Sequence, residues 1–431
     1  MSQAEIQQLL AEAVRARSAG QEALAEARFR AVLAQDPDHA GALNALGVAC
    51  LAKGEAAEAA SLFERAAAAD PGAAPLWINL AKAQRMLGDD EAERKALKRT
   101  LDVDQRHLMA LIRMAELHER LGESVDAGQR WSGVLAVGRL VDPRPPELEA
   151  LLAHAAAFVS AQTGAIADLL EKALGDDIAK LGPRDRRRFT ACSDQMLGRR
   201  AIYANVCAGV HYPFLPADEF FDREHFPWLA ELEAKTPIIR REAEALLAAG
   251  DSGLSPYVAM ESGLPENKWT PLDHSLAWGA LHLWREGVRN DEACARCPET
   301  AAIVEALPLA DVPGRMPTVF FSVLKPKTRI PPHTGVSNAR TIIHLPLIVP
   351  PGCGFRVGGE TREWREGEAF AFDDTIEHAA WNDSDEPRAV LIFDVWNPHL
   401  SDAERDMLRK LFTTVDSNGW KAGGRERVGE A

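Results

Sequence analysis

In the first third of the chain, apolar and small residues repeat on a fixed beat. Gly20, Gly54, Gly88 and Gly122 each stand 34 residues after the last, and Phe29, Phe63, Leu97 and Trp131 keep the same offset. Asp36, Asp70 and Asp104 do so too; Pro37 and Pro71 follow the first two, and Leu46 and Leu80 share the register. Runs such as 43–49 and 59–66 place small and large apolar residues at helical spacing. Each unit therefore reads as two helices, turned by the glycine and reopened by the proline. Three to four units fit about residues 5–138, the fourth degenerate. The prolines of Val141-Asp-Pro-Arg-Pro-Pro stop the pattern, and helical spacing resumes over 147–172 and 184–204. Strand-like runs then take over at 318–324, 341–349, 354–357, 369–372 and 390–395, with turns at Pro350-Pro-Gly, Gly358-Gly and Asn382-Asp-Ser-Asp. The expected fold is multidomain, α then mainly β. It has helical repeats at 1–138, a helical connector at 139–205, a double-sheet barrel or jelly roll with flanking helices at 206–415, and a flexible tail at 416–431.

A 34-residue period of this kind resembles the tetratricopeptide repeat, which implies an α-solenoid whose concave groove takes a peptide or protein partner. The alternative is that the repeats only brace the chain or make a dimer, and the sequence does not set an oligomeric state. Composition narrows the rest. Apolar residues make up 46% and charged residues 26% of the 431, the balance of a soluble globular protein. Lys and Arg total 49 against 64 Asp and Glu, a formal charge of −15, which argues against a nucleic-acid partner. Six scattered cysteines suit a reducing compartment. No leader is visible, and the richest apolar run, 150–161, is interrupted by His154 and falls short of the roughly 18 residues of a spanning helix. A cytoplasmic location without a membrane span is the expectation.

Two histidines carry the candidate chemistry. His333 in Ile330-Pro-Pro-His-Thr-Gly precedes a predicted strand, and His378 ends Phe372-Asp-Asp-Thr-Ile-Glu-His. Both follow turn-prone segments, so a rolled sheet can bring them to one mouth, where imidazole suits Fe, Zn, Cu or Ni. The usual non-haem iron site adds a carboxylate two residues after the first histidine; here that position is Gly335. Taken singly, each histidine reads more simply as a satisfied core or surface residue.

The strings Phe321-Ser-Val-Leu-Lys-Pro, Pro332-His-Thr-Gly-Val-Ser-Asn-Ala-Arg, His344-Leu-Pro-Leu-Ile-Val-Pro, residues 367–382 and Phe393-Asp-Val-Trp-Asn-Pro stand in order, after Phe220-Phe-Asp-Arg-Glu-His-Phe-Pro-Trp-Leu. Over about residues 212–412 the chain thereby resembles the aspartyl/asparaginyl β-hydroxylase family of Fe(II)- and 2-oxoglutarate-dependent oxygenases. The resemblance implies iron held by two histidines without a carboxylate, with 2-oxoglutarate and O₂ as cosubstrates and ascorbate as a support. By position, His333 and His378 become the metal ligands and Arg388 the partner of the distal 2-oxoglutarate carboxylate, a task that suits a planar guanidinium. Ser322 supports that carboxylate, and His344 contacts the cosubstrate near the metal. The family's better-known members carry an arginine where this chain has Ile342, leaving Arg340 as the nearby candidate for the metal-side carboxylate. Asp374 is expected beside the metal, accepting a hydrogen bond from a bound water; direct ligation is the alternative. Asp373 and Asp394 are weaker candidates. Trp364, Trp381 and Trp396 are candidate pocket walls, with plain core packing the preferred reading.

The implied function is hydroxylation of an Asp/Asn-type side chain on a peptide or protein recruited by the repeats. The alternatives are an oxygenase, hydroxylating or halogenating, acting on a small molecule or lipid, and a non-catalytic adaptor. Cys294-Ala-Arg-Cys297 lacks the further ligands of a zinc site, and the run Arg184-Asp-Arg-Arg-Arg188 reads as a solvated helix face.

Overall fold

The computed structural model describes residues 3–249, 252–263 and 265–418, and the chain divides into two compact units, Met1–Lys180 and Leu181–Ala431. In the first, eight helices pack pairwise: α1 (Gln3–Ser18), α2 (Glu22–Leu33), α3 (Ala40–Lys53), α4 (Ala56–Ala69), α5 (Ala74–Leu87), α6 (Asp90–Val103), α7 (Leu108–Arg120) and α8 (Ser124–Gly138). The glycine beat has a conformational cause. Gly20, Gly54, Gly88 and Gly122 turn each pair with φ of 71, 83, 75 and 74°, a left-handed backbone open to glycine at little cost. Phe29, Phe63, Leu97 and Trp131 are all buried between helices. Gly47 lets the Phe63 ring approach, since a Cβ there would lie 2.7 Å from it. The last helix of the unit, α9 (Pro146–Lys180), packs Leu148 and Ala155 into the cluster around Trp131. The run 150–161 thus belongs to a 35-residue helix that is long and apolar enough, by length and composition alone, to cross a membrane.

The second unit opens with α10 (Pro183–Met196), which has no buried residue. The helix expected to reach 204 ends at Met196, because Gly198 turns left-handed at φ 67° and residues 201–207 carry no regular structure. Further helices are α11 (Leu229–Glu233), α12 (Thr236–Ala248), α13 (Asp291–Arg296), α14 (Pro298–Glu305) and α15 (Asp402–Ser417). Of the expected tail, residues 416–417 end α15 and 419–431 lie outside the described residues.

Among the described residues, eleven strands form two antiparallel sheets. They are β1 (Ser255–Pro256), β2 (Trp278–Arg285), β3 (Val288–Arg289), β4 (Val319–Leu324), β5 (Thr328–His333), β6 (Arg340–Ile348), β7 (Cys353–Val357), β8 (Glu360–Glu363), β9 (Phe370–Phe372), β10 (His378–Asn382) and β11 (Arg388–Trp396). The larger sheet runs β1–β2–β4–β11–β6–β9 with β3 beside β2, and the smaller runs β5–β10–β7–β8. Period-2 alternation divides the larger sheet's two faces. Phe320, Leu324, Ile342, Val390 and Ile392 meet Ile330, Phe355, Val357 and Ala380 of the smaller sheet, while Phe321, Ile343, Leu345 and Leu391 pack under α11–α14. The expected two-layer β architecture is present, and six strands beyond the predicted runs complete it: β1, β2, β3, β5, β8 and β10. Pro331 and Pro332 masked β5, yet β5 is an edge strand, where a missing backbone N–H costs no ladder bond.

Candidate active site

Sheet register places the two histidines. His333 ends β5 and His378 opens β10, and the antiparallel pairing sets them directly opposite, with ring centroids 4.0 Å apart. His333 Nδ1 lies 2.8 Å from the Pro331 carbonyl and His378 Nδ1 lies 3.0 Å from that of Ile376. A carbonyl only accepts, so each Nδ1 carries the proton and each Nε2 keeps its lone pair. Burial lowers both imidazoles, His333 well below the usual histidine range and His378 to about 4, so both are neutral at pH 7. Two neutral imidazoles with Nε2 available are a donor set that fits a divalent transition metal.

At Gly335 an ideal Cβ would sit 2.1 Å from Asp374 Oδ2. The space that a side chain at 335 would need is therefore filled by the Asp374 carboxylate. Arg340 Nη2 donates to Asp374 Oδ2 at 2.9 Å and Arg340 Nη1 to Asp394 Oδ2 at 3.2 Å. Asp394 Oδ1 in turn accepts from Thr318 N at 2.8 Å. Arg340, the sequence candidate for the metal-side carboxylate, is thus engaged between two buried carboxylates. Asp394 is an interior partner of that arginine. Asp373 is bound by Thr375 and by Asn205 Nδ2 at 2.7 Å, and burial raises it to about 6.

Arg388 begins β11 and is 1% exposed. Its Nη2 donates to Ser322 Oγ across 3.4 Å, and the guanidinium lies 4.8 Å from the Trp364 ring centroid. No carboxylate pairs with it among the described residues, and its Nε has no hydrogen-bond partner. Burial pushes it down to about 10, so it stays cationic at neutral pH. A buried cation of this kind costs several kcal/mol, on the order of what an anionic ligand returns by pairing with it. His344 stacks on Trp364 at 5.5 Å and 11°, and burial, then Arg388, hold it neutral.

Residues 233–398 match the family model for aspartyl/asparaginyl beta-hydroxylase, and residues 51–107 match that for the tetratricopeptide repeat. The chain contains an aspartyl/asparaginyl beta-hydroxylase domain preceded by tetratricopeptide repeats. Human aspartyl/asparaginyl beta-hydroxylase is 38% identical over 133 residues, 30% of this chain and 17% of that protein. The ornithine lipid ester-linked acyl 2-hydroxylase of Rhizobium tropici is 33% identical over 186 residues, 42% of this chain and 62% of its own length. Human aspartate beta-hydroxylase domain-containing protein 2 is 32% identical over 204 residues, 46% of this chain and 53% of that protein. The chain therefore spans less than two thirds of each of these relatives. Among solved structures, a crystal structure of MamA aligns at 18% identity and a TM-score of 0.30, over 41% of this chain and 96% of that one.

Within the beta-hydroxylase domain, the structure gathers His333, His378, Asp374, Arg388, Ser322 and His344 between the two sheets. Of the candidate tryptophan walls only Trp364 belongs there; Trp381 pairs with Arg329 and Trp396 with Asp311, away from it. Two other tryptophans escaped the sequence reading. Trp278 Nε1 donates to Ser322 Oγ at 3.1 Å, and Trp269 stands edge-on to His333 at 5.0 Å. No spacing signal marks either: strand register aims Trp278 inward, and Trp269 sits in the turn that precedes Thr270–Leu272. The Cys294/Cys297 pair is structural. Both thiols are buried and donate to the Leu283 and Ala293 carbonyls, and burial pushes Cys297 up to about 12.

Proposed function

We propose that this chain is an Fe(II)- and 2-oxoglutarate-dependent dioxygenase. It hydroxylates an Asp/Asn-type side chain of a peptide or protein recruited by the repeat groove, in the cytoplasm. The observation that carries the oxygenase reading is Arg388: a buried guanidinium without a carboxylate partner among the described residues, in the same inter-sheet core as two neutral imidazoles with available Nε2 lone pairs. When bound, iron with 2-oxoglutarate and O₂ supplies an oxidant able to attack an unactivated C–H bond. The chain's own residues hold and orient. His333 and His378 would hold the metal through Nε2, and Arg388 with Ser322 would take the distal carboxylate of the cosubstrate as a charge-assisted pair. His344, neutral and stacked on Trp364, would line the cosubstrate's path. Arg340 holds the Asp374 carboxylate beside Gly335, and Trp269, Trp278, Phe355 and Phe372, packed in the inter-sheet core, would exclude water from the site.

A second reading, hydroxylation of a lipid acyl chain, is favoured by a row of outward apolar side chains at 202–208 beside this site, and a relative is named for such an activity. The test is succinate formation from 2-oxoglutarate with Fe(II) and ascorbate, against His378→Ala and Arg388→Ala. Turnover abolished in both variants supports the oxygenase. No turnover, together with no metal- or 2-oxoglutarate-dependent thermal shift, leaves only the adaptor. Peptide and acyl substrates are then separated by mass spectrometry for a gain of one oxygen.

A further inference from the structure

We propose that residues 186–214 form a docking surface for an anionic lipid bilayer, placed beside the candidate active site; its purpose rests on the acyl-chain reading above.

The segment reverses the usual arrangement of polar and apolar side chains. Along residues 202–208 exposure alternates: Ile202, Ala204, Val206 and Ala208 face outward, while Tyr203, Asn205 and Cys207 turn in. Tyr203 packs against the inter-sheet core and Asn205 bonds Asp373 and Thr375. An extended segment in a soluble domain puts its polar residues on the outer face; here all four outward positions are apolar, with Ile202 80% and Val206 60% exposed. Phe214 follows, fully exposed and on left-handed backbone at φ 66°, which a bulky aromatic side chain adopts only under constraint. Strain and exposure at one aromatic residue gain nothing for folding, and an apolar medium at that position gives both a use.

Charge chooses the occupant. Residues 184–214 hold six arginines and two aspartates, +4 in a chain of −15. Arg184, Arg187 and Arg200 are absorbed by Asp222, Glu360 and Glu219. Arg188 and Arg199 are exposed and make no ion pair among the described residues. Exposed guanidinium groups on the segment that carries an apolar strip match the boundary between anionic headgroups and acyl chains.

Position supplies the link to chemistry. Val206 N donates to Thr375 O at 2.8 Å, Ala208 N to Gly335 O at 3.0 Å and Gly209 N to Val336 O at 2.8 Å. The strip is therefore bonded to the two loops that carry His333 and His378. A bilayer engaged by it lies against the mouth through which an acyl C–H would reach the metal.

The experiment is co-sedimentation of the full chain with extruded vesicles of phosphatidylcholine, alone and in equal mixture with phosphatidylglycerol. Binding is expected to the mixed vesicles and to weaken with added salt. The double variant Ile202→Ser/Phe214→Ser should lower the partition coefficient by roughly tenfold. Arg188→Gln/Arg199→Gln should lower it about fivefold per arginine. All four side chains are exposed, so both variants should melt like wild type and keep its basal succinate formation. No binding to mixed vesicles overturns the proposal. Undiminished binding in both variants also overturns it and points to α9. Acyl hydroxylation in detergent-dispersed lipid without vesicle binding removes the docking surface alone; vesicle binding that the variants weaken, with no acyl product, supports the surface and removes the acyl reading.

Discussion

Replacing Arg388 with Met tests whether this buried cation is built for an anion. Burial pushes Arg388 down to about 10, roughly 3 kcal/mol of lost preference for the charged form at ~1.4 kcal/mol per decade. The sign follows from the direction. With the folded pKa below the unfolded one, the penalty is fully present at neutral pH and is relieved only as pH rises through 10. The compensating contacts are weak: one 3.4 Å hydrogen bond to Ser322 and the face of Trp364. Methionine keeps most of the stem's volume and removes the charge, so the ligand-free variant should melt at or above the wild-type temperature. With 2-oxoglutarate the order reverses. Loss of a charge-assisted carboxylate pair removes about 3 kcal/mol, close to a 150-fold fall in affinity. Scanning fluorimetry with Mn(II) in place of iron, with and without 2-oxoglutarate, reads both arms, and calorimetry gives the affinity. The reasoning is refuted if the 2-oxoglutarate shift survives in Arg388→Met, or if the ligand-free variant loses stability as an ordinary core truncation would.

Further outcomes follow from the same geometry. His378 is lowered to about 4, so the unfolded chain binds the extra proton first and ligand-free stability falls as pH drops from 6.5 toward 4, by about 3 kcal/mol for this group; pH-dependent melting of His378→Gln should be flatter over that window. Gly335→Asp should not build a carboxylate ligand, because its Cβ would meet Asp374 Oδ2 at 2.1 Å; expected is a loss of about 3 kcal/mol or more from overpacking and like charge, read by urea denaturation and relieved by adding Asp374→Ala. Gly47→Ala brings a Cβ to 2.7 Å from the Phe63 ring and should cost the repeat unit about 1–3 kcal/mol, with melting of the second unit unchanged. Thiol titration of the native chain should label exposed Cys192 first, while Cys294 and Cys297 react only on unfolding; fast labelling of Cys297 would contradict its burial.

How far the sequence could be read depended on whether information was local. Repeat periodicity is local: a left-handed glycine and a large buried side chain recur at fixed offsets because every unit solves the same packing problem, so the helical pairs were legible from that recurrence. The strands at 319–324, 340–348 and 388–396 were legible for a related reason, since strands covered on both faces are continuously apolar. His333 and His378 were found by their setting within ordered motifs, not by spacing between themselves. By contrast β5 carries two prolines, β10 is small and polar, and β2 has three aromatic or histidine side chains in eight residues. Nothing in those segments alone announces a strand, because partners distant in sequence supply their pairing.

Taken by itself, the sequence determined the element classes, the 34-residue unit and the residue types capable of holding a metal and an acid. The tertiary structure decided which of those residues meet. Register across β5 and β10 brings two histidines 4.0 Å apart from positions 45 residues apart in the chain. The β6 geometry commits Arg340 to Asp374 and Asp394, while Arg388, one sheet neighbour away, is left without a counterion among the described residues. Both guanidinium groups look alike in sequence. Their difference is electrostatic and set by burial among particular partners, and that depends on strand pairing between segments far apart in the chain.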